Sequence, residues 1–465
     1  MKYLLIFCLV LVAIPGSGQV KRASVTELVK KIAAFNELHG DAVGVAGISS
    51  GQYQCFEKLR SIASLQELVS LLDHSNGVVK GYASWALADR KYAGMAPIFS
   101  RFLQSGEKVR GMHGCIVADF ELATELYNRV GYHQFRRRIK LSDSLYFHQQ
   151  LAVFDSTVLY SDRDDLLLSR ALENQAGDPR YYTRVRYWAL ERKVPEAIWA
   201  LGVYRNKEDI DAIKGLGKEA FAAIVRFPDP AFWDFLLLYR GKELTTDYFS
   251  AIAAFQSKAA AAELAQALPT LSIEEAGFLG EAITLHDCPF YQDIHLSIWR
   301  KHALIDHVAT NQLIKAIPDR AARAFAEVLS SGRELHFMEY DSDYGTSEEI
   351  LPRMLGHIYR HLPDTTPAVC RQLILGEEED ALIPALEIAR TFKLPGITSA
   401  ALEKMEEGTY PYQLFHLAET VLLLGNKAER QQAMGIIQRE QPQWDTGNWS
   451  GAYRKLFKKY KIKLV

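Results

Sequence analysis

The sequence predicts an all-α protein, an α-solenoid of stacked antiparallel helix pairs. Three observations predict it: a segment that repeats itself thirty residues on, apolar stripes at helical spacing broken by short polar turns, and no convincing strand series. With 465 residues and a 48% hydrophobic composition, the chain can bury a large core, strung along one array or split among several domains.

In chain order, the first element is a leader. A lone Lys2, an apolar run from Tyr3 to Ile14, then Pro15, Gly16, Ser17 and Gly18 form the charged, apolar, small-residue layout of a secretory signal, cut before Gln19. The run is short for a hydrocarbon layer of about 30 Å, and no later segment offers the ~18 uninterrupted apolar residues of a spanning helix. No membrane span is therefore expected, and the mature chain is expected to be periplasmic or secreted. Cys8 lies inside the apolar run rather than just after the cut, so no lipid anchor is expected.

The next element is a helix hairpin. Leu65, Leu68, Leu71 and Leu72 mark an apolar stripe, His74-Ser75-Asn76-Gly77 breaks it, and Val78 restarts it. Neither helix hides its apolar face alone, and Ala83, Ala86 and Ala88 let a neighbour approach closely. Val79-Lys80-Gly81 with Ala88-Asp89 then recurs as Val109-Arg110-Gly111 with Ala118-Asp119, and at the same offset Leu68 meets Ile98, Leu72 meets Phe102 and Ser75 meets Ser105. The whole helix, turn and helix is thereby expected twice. Further on, Ala251 to Leu268 and Arg320 to Leu329 read as helix from propensity. Phe227-Pro228-Asp229-Pro230 reads as a corner between helices. Residues 339–349, rich in Glu, Asp and Tyr, read as a long acidic loop, either an insertion in one array or a boundary. At the end of the chain, Tyr453, Leu456, Phe457 and Tyr460 among Lys455, Lys458, Lys459, Lys461 and Lys463 predict an amphipathic helix that caps the last repeat. The organisation expected is a signal peptide over 1–18, helical repeats over 19–339, an acidic loop over 340–349, and further repeats with a capping helix over 350–465.

These residues resemble the HEAT-repeat (HEAT-like, armadillo-type) family, whose second helix is Val-rich, then Ala-Leu-rich, and leads through a polar turn into the next pair. Trp85-Ala86-Leu87-Ala88-Asp89 leading to Met95-Ala96-Pro97-Ile98 has that form. Trp199-Ala200-Leu201-Gly202, leading through 205–209 to Ile210 and Ile213, repeats it. Ala385-Leu386-Glu387-Ile388-Ala389, leading through 393–396 to Ala401-Leu402, is a third instance. The resemblance implies a HEAT-like superhelix with an extended inner surface that recognises a partner. Other paired-helix folds, the tetratricopeptide arrays and α/α-toroids, share much of the pattern.

Charge excludes some partners. Fifty-four Lys and Arg against 56 Asp and Glu give no field to gather nucleic acid. Arg136-Arg137-Arg138 with Lys140 is a basic patch that could hold phosphate or an acidic protein surface. Cys55, Cys115, Cys288 and Cys370 remain after cleavage, and up to two disulfides in three connectivities compete with separate thiols buried as small apolar residues. The chain carries no HExxH, Walker loop or close cysteine pair. His286-Asp287-Cys288, continuing to Asp293, His295, His302 and His307, is the densest group of potential metal ligands, against exposed helical faces as the plain alternative. Glu339, Asp341, Asp343, Glu348 and Glu349 could gather oxygens around calcium, and Tyr340, Tyr344 and His336 could serve a glycan, against a solvated loop. No residue is assigned a catalytic, cofactor or metal role. The expected function is an exported, non-catalytic binding or scaffold protein with a protein partner, in a bacterial envelope or outside the cell. The competing expectation is an α/α-toroid enzyme, a polysaccharide lyase or glycoside hydrolase.

Overall fold

Several helices begin where a side chain closes the first turn. Ser24 with Glu27, Ser64 with Glu67, Ser272 with Glu275 and Asn426 with Glu429 form reciprocal capping boxes, and a good N-cap stabilises its helix by about 1 kcal/mol. The structure, a computed structural model, describes residues 24–134, 140–163, 165–338, 347–441, 445 and 449–461, with the backbone alone at 134 and 347–349. It is mostly helical, 71% of it. The chain divides into two compact units, one up to Tyr204 and one from Arg205.

In the first unit the order is α1 (Val25–Phe35), β1 (Leu38–Val43), α2 (Gly51–Ile62), α3 (Leu65–Leu71), α4 (Gly77–Asp89), α5 (Met95–Ser105), β2 (Lys108–Gly114), β3 (Ile116–Glu121), α6 (Leu122–Gln134), α7 (Leu141–Leu159), α8 (Leu166–Gln175), α9 (Tyr182–Leu190) and α10 (Pro195–Val203). The hairpin expected over 65–89 is present as α3 and α4, with Asn76 capping the second helix. Its second copy is not. Residues 98–105 form α5 as the repetition predicts, but 108–121 fold as a β-hairpin whose first strand also pairs parallel with β1. Strands remain few, and the mostly helical composition fits the all-α class, but this segment, which the repetition predicts as helix, is sheet.

Composition explains the divergence. Where α4 has Tyr82-Ala83-Ser84-Trp85-Ala86-Leu87, the later copy has Met112-His113-Gly114-Cys115-Ile116-Val117. Ala86 and Leu87 are replaced by the β-branched Ile116 and Val117, and Ser84 by Gly114 at φ 56°, which turns the chain between β2 and β3. Gly111 faces the carbonyl of Leu38 across the β1–β2 pair, so closely that a Cβ would lie 3.0 Å from that oxygen. The unit's core stacks Phe56 on Tyr82 and Phe99 on Phe154, and the buried Trp188 donates its indole N–H to the Leu159 carbonyl at 3.0 Å.

In the second unit the order is α11 (Ile210–Lys214), α12 (Ala220–Arg226), α13 (Trp233–Leu237), α14 (Thr246–Ala253), α15 (Lys258–Ala267), α16 (Ile273–Thr284), α17 (Gln292–His302), β4 (Leu304–Ile305), α18 (His307–Ala316), α19 (Pro318–Leu329), β5 (His336–Phe337), α20 (Ser347–His361), α21 (Thr366–Leu375), α22 (Glu379–Phe392), α23 (Ile397–Glu407), α24 (Pro411–Leu424), α25 (Lys427–Arg439) and α26 (Trp449–Lys459). The corner at 227–230 is real: the Asp229 carboxylate caps a turn that Pro230 opens. Ala251 to Leu268 is two helices rather than one, because Gln256 takes φ 46° and Ser257 caps a fresh start. From α19 to α25 each helix packs on the next but one along the chain, and one apolar core runs from Leu296 to Phe457. The last helix buries Tyr453, Leu456 and Phe457 and turns Lys455, Lys458 and Lys459 outward, as an amphipathic end helix should. Among the described residues no helix is long and apolar enough to cross a membrane.

Candidate functional site

The clusters that stand out along the sequence disperse in space. His286, at the end of α16, meets the Gln256 amide at 3.3 Å, and Asp287 lies 3.7 Å from Lys315. Cys288 is buried, and Asp293 pairs with Arg320. His295 points into the core from α17, where burial pushes its imidazole down to about 4. His302 ends that helix, and His307 opens α18 beside Asn311. Helical geometry sends these neighbours to different faces, and among the described residues no three His, Cys, Asp or Glu converge as metal ligands. Of the acidic loop, 339–346 lie outside the described residues, while 347–349 open α20; His336 sits in β5. The leader and Arg136-Arg137-Arg138 also lie outside the described residues, and Lys140 precedes α7. The four cysteines are free thiols, but only Cys288 and Cys370 are buried; Cys115 stands exposed at the β2–β3 turn.

Three polar networks are built into the first unit. Asp89, at the end of α4, accepts from Arg60, Arg129 and His133, all within 2.7 Å. Glu125, buried on α6, takes His113 at 3.0 Å; burial would lower that imidazole, and the hydrogen bond and charge of Glu125 raise it instead. His39 lies between the Ser50 hydroxyl at 2.9 Å and Glu37 at 3.0 Å. That trio has the outline of a nucleophile with its base, yet the Ser50 oxygen also accepts the Tyr53 N–H as the cap of α2, which accounts for it structurally.

The site with an opening is elsewhere. Helices α6, α7 and α8 line a cavity of about 360 Å³, and Asp155 of α7 lies in its wall with only 1% of its surface exposed. Its position follows from the helix: Leu151, Phe154 and Val158 anchor the buried face of α7, and Asp155 falls on the edge of that face. Oδ1 accepts the Tyr127 hydroxyl at 2.6 Å. Oδ2 accepts the Asn174 amide at 3.2 Å and the Gln175 amide at 2.8 Å. Asn174 also donates to the Tyr127 oxygen at 2.9 Å, which orients that phenol toward the carboxylate. Burial raises the Asp155 carboxyl above its ordinary range, and the three neutral donors together with the charge of His148 offset this only in part. Burial and the adjoining carboxylate raise the Tyr127 phenol, so it stays protonated as a donor. One helical turn from Asn174, Arg170 is held by Asn128 and lies 6.0 Å from the Tyr127 ring centre.

Among the described residues Asp155 is the one carboxylate lining this cavity, and no second acid stands opposite it there. The arrangement can hold a cation or a hydrogen-bond donor. Gly131 lines the same cavity from the interior of α6, and a Cβ there would meet nothing within 4 Å. Gly131→Ala is expected to stabilise the protein by about 0.5–1 kcal/mol, since alanine favours the helix and the space is open. Thermal unfolding of the two proteins checks it; a lower transition for the variant would mean the glycine is needed for packing.

Outside the cavity, α7 turns an apolar face to solvent. Leu141 is 86% exposed, Leu145 56%, Val153 41% and Tyr160 61%. At 100° per residue Leu141, Leu145 and Val153 fall within an arc of about 120° along the 19-residue helix, and Tyr160 is its C-cap. The stripe borders both the Asp155 cavity and a shallower groove that shares His148 and Ala152 with it. Sequence reading missed this site because Tyr127, Asp155 and Asn174 are lone polar residues on three helices. The one signal available was an acid placed among Leu151, Phe154 and Val158. Comparison of the chain with models of known protein families, with curated proteins and with solved structures finds no match in any of the three.

Proposed function

We propose that the chain is an exported, non-catalytic binding protein of stacked HEAT-like helix pairs, and that its partner is a polypeptide segment laid along α7. The observation that carries this reading is the outward apolar stripe of Leu141, Leu145, Val153 and Tyr160. Leu141, Leu145 and Val153 on one side of the helix, with Tyr160 at its C-cap, leave large apolar side chains exposed among the described residues, and such surface favours an interaction site. Support for stacked hairpins comes from the next-but-one packing of α19 to α25, and support for export from the order of Lys2, the apolar run and Gly16 to Gly18.

The stripe makes the test direct. Tagged mature protein and its Leu145→Glu/Val153→Glu variant are passed over envelope extract. Wild type is expected to retain a defined protein that the variant does not, while the variant's unfolding transition moves by no more than about 0.5 kcal/mol, as expected of surface positions. Equal retention by both proteins would remove the stripe as the binding surface. Export is checked by fractionating cells that express the full chain and one lacking residues 2–18. The full chain is expected outside the cytoplasm, shortened to begin at Gln19, and a cytoplasmic, full-length product would overturn that part of the reading.

A further inference from the structure

We infer that the cavity between α6, α7 and α8 is a receptor for a primary ammonium, and that the group it takes is a lysine side chain of the partner. The source of the lysine rests on the proposed function; the ammonium chemistry rests on the cavity alone.

The argument starts from what Asp155 lacks. Its carboxylate is withdrawn from water, and every donor it meets is neutral: the Tyr127 phenol and the Asn174 and Gln175 amides. A buried carboxylate ordinarily has a cation against it, as Asp89 has in the same unit. Among the described residues Asp155 forms no ion pair, although His148 and Arg170 line the same cavity and His148 favours its charged form, and the cavity is large enough for a side chain. A ligand that brings one positive charge supplies the missing partner.

Acceptor geometry selects which cation. A carboxylate offers about four acceptor positions. Oδ2 already takes two donors and Oδ1 takes one, so the remaining position is on Oδ1 alone. A guanidinium binds best through two parallel N–H groups, one to each oxygen, and that arrangement is blocked. An ammonium is a point charge and needs only one. Leu151 and Ala152 give the stem of a lysine an apolar wall, and the stripe on α7 leads up to it.

The test uses the full mature protein and n-butylammonium chloride as probe, with n-butanol as its neutral counterpart, read by saturation-transfer NMR. Wild type is expected to bind n-butylammonium and not n-butanol. Asp155→Asn is expected to weaken the ammonium at least ~10-fold, about 1.4 kcal/mol. Gly131→Leu, which fills the cavity from a position with open space for a side chain, is expected to abolish it without loss of folding. Absence of ammonium binding to wild type, equal binding of butanol, or unchanged affinity in Asp155→Asn or in Gly131→Leu would overturn the assignment. The lysine source is tested by N-acetylating the lysines of the envelope extract before capture. Acetylated partner is expected to be lost from wild type, and its undiminished retention would overturn the lysine while leaving the stripe in place.

Discussion

Asp89→Ala is expected to destabilise the first unit by about 3–5 kcal/mol, the largest loss from any single polar substitution proposed for this protein. The reason is what the carboxylate leaves behind. Arg129 donates Nε to one Asp89 oxygen at 2.7 Å and Nη2 to the other at 2.6 Å, while its guanidinium lies 5.2 Å from the ring centres of both Phe56 and Trp85. Both side chains are almost fully buried. Removing the acid strands a permanent cation in the core beside His133, which itself loses its 2.6 Å bond to Asp89 Oδ1. Truncating Asp89 and Arg129 together, as Asp89→Leu/Arg129→Leu, is expected to cost less than Asp89→Ala, since it strands no charge of that pair. Urea unfolding of the full chain at neutral pH measures both, and a double variant as unstable as the single one would show that the cluster acts through shape rather than charge.

The same carboxylate predicts the response to acid. Burial would raise its pKa, but the hydrogen bonds from His133, Arg129 and Arg60 overcome that and hold it well below the ordinary carboxylate range. A depressed folded pKa means that the stabilisation is fully present above the unfolded value, about 3.9, and is lost as pH falls through the folded one. The stability difference between wild type and Asp89→Ala is therefore expected to be constant near neutrality and to shrink below pH ~4. A difference that stays flat down to pH ~2 would mean that Asp89 is not paired as described.

Much of the helical framework is legible in the residues. The stripe through Leu68 and Leu72, the break at His74 to Gly77, the Pro-flanked corner at Asp229 and the amphipathic end helix all follow from short-range rules, because helix period and turn chemistry act within a few residues. The cavity is not legible, because Asp155 gains its character from Tyr127, 28 positions away, and from Asn174, 19 away. Conversely, the histidines and acids that crowd together at 286–307 along the chain point to different sides of α16, α17 and α18. Sequence proximity on helices is a poor guide to convergence in space. Single polar residues on separate helices, as at Tyr127, Asp155 and Asn174, leave no pattern to read.

The misread repeat at 108–121 gives a prediction whose sign decides between two folds for one segment. Were this segment a helix, as its likeness to 78–91 suggests, Gly111→Ala would stabilise it by about 1 kcal/mol through helix propensity alone. In the sheet the same methyl would meet Cδ2 of Phe120 at 2.9 Å and the carbonyl oxygen of Leu38 at 3.0 Å. The phenyl ring can rotate away, but the oxygen belongs to the neighbouring strand, and it can retreat only by parting β1 from β2 beside the Leu38↔Gly111 register. Overpacking of that kind costs about 1–3 kcal/mol. Gly111→Ala is accordingly expected to lower the unfolding transition while Gly131→Ala raises it. The identical substitution thus moves stability in opposite directions, because one glycine touches a strand and the other faces a cavity. If both variants gained stability, the hairpin would be wrong and the repetition right; if both lost it, the open space beside Gly131 would be filled, and with it the proposed seat of the ammonium.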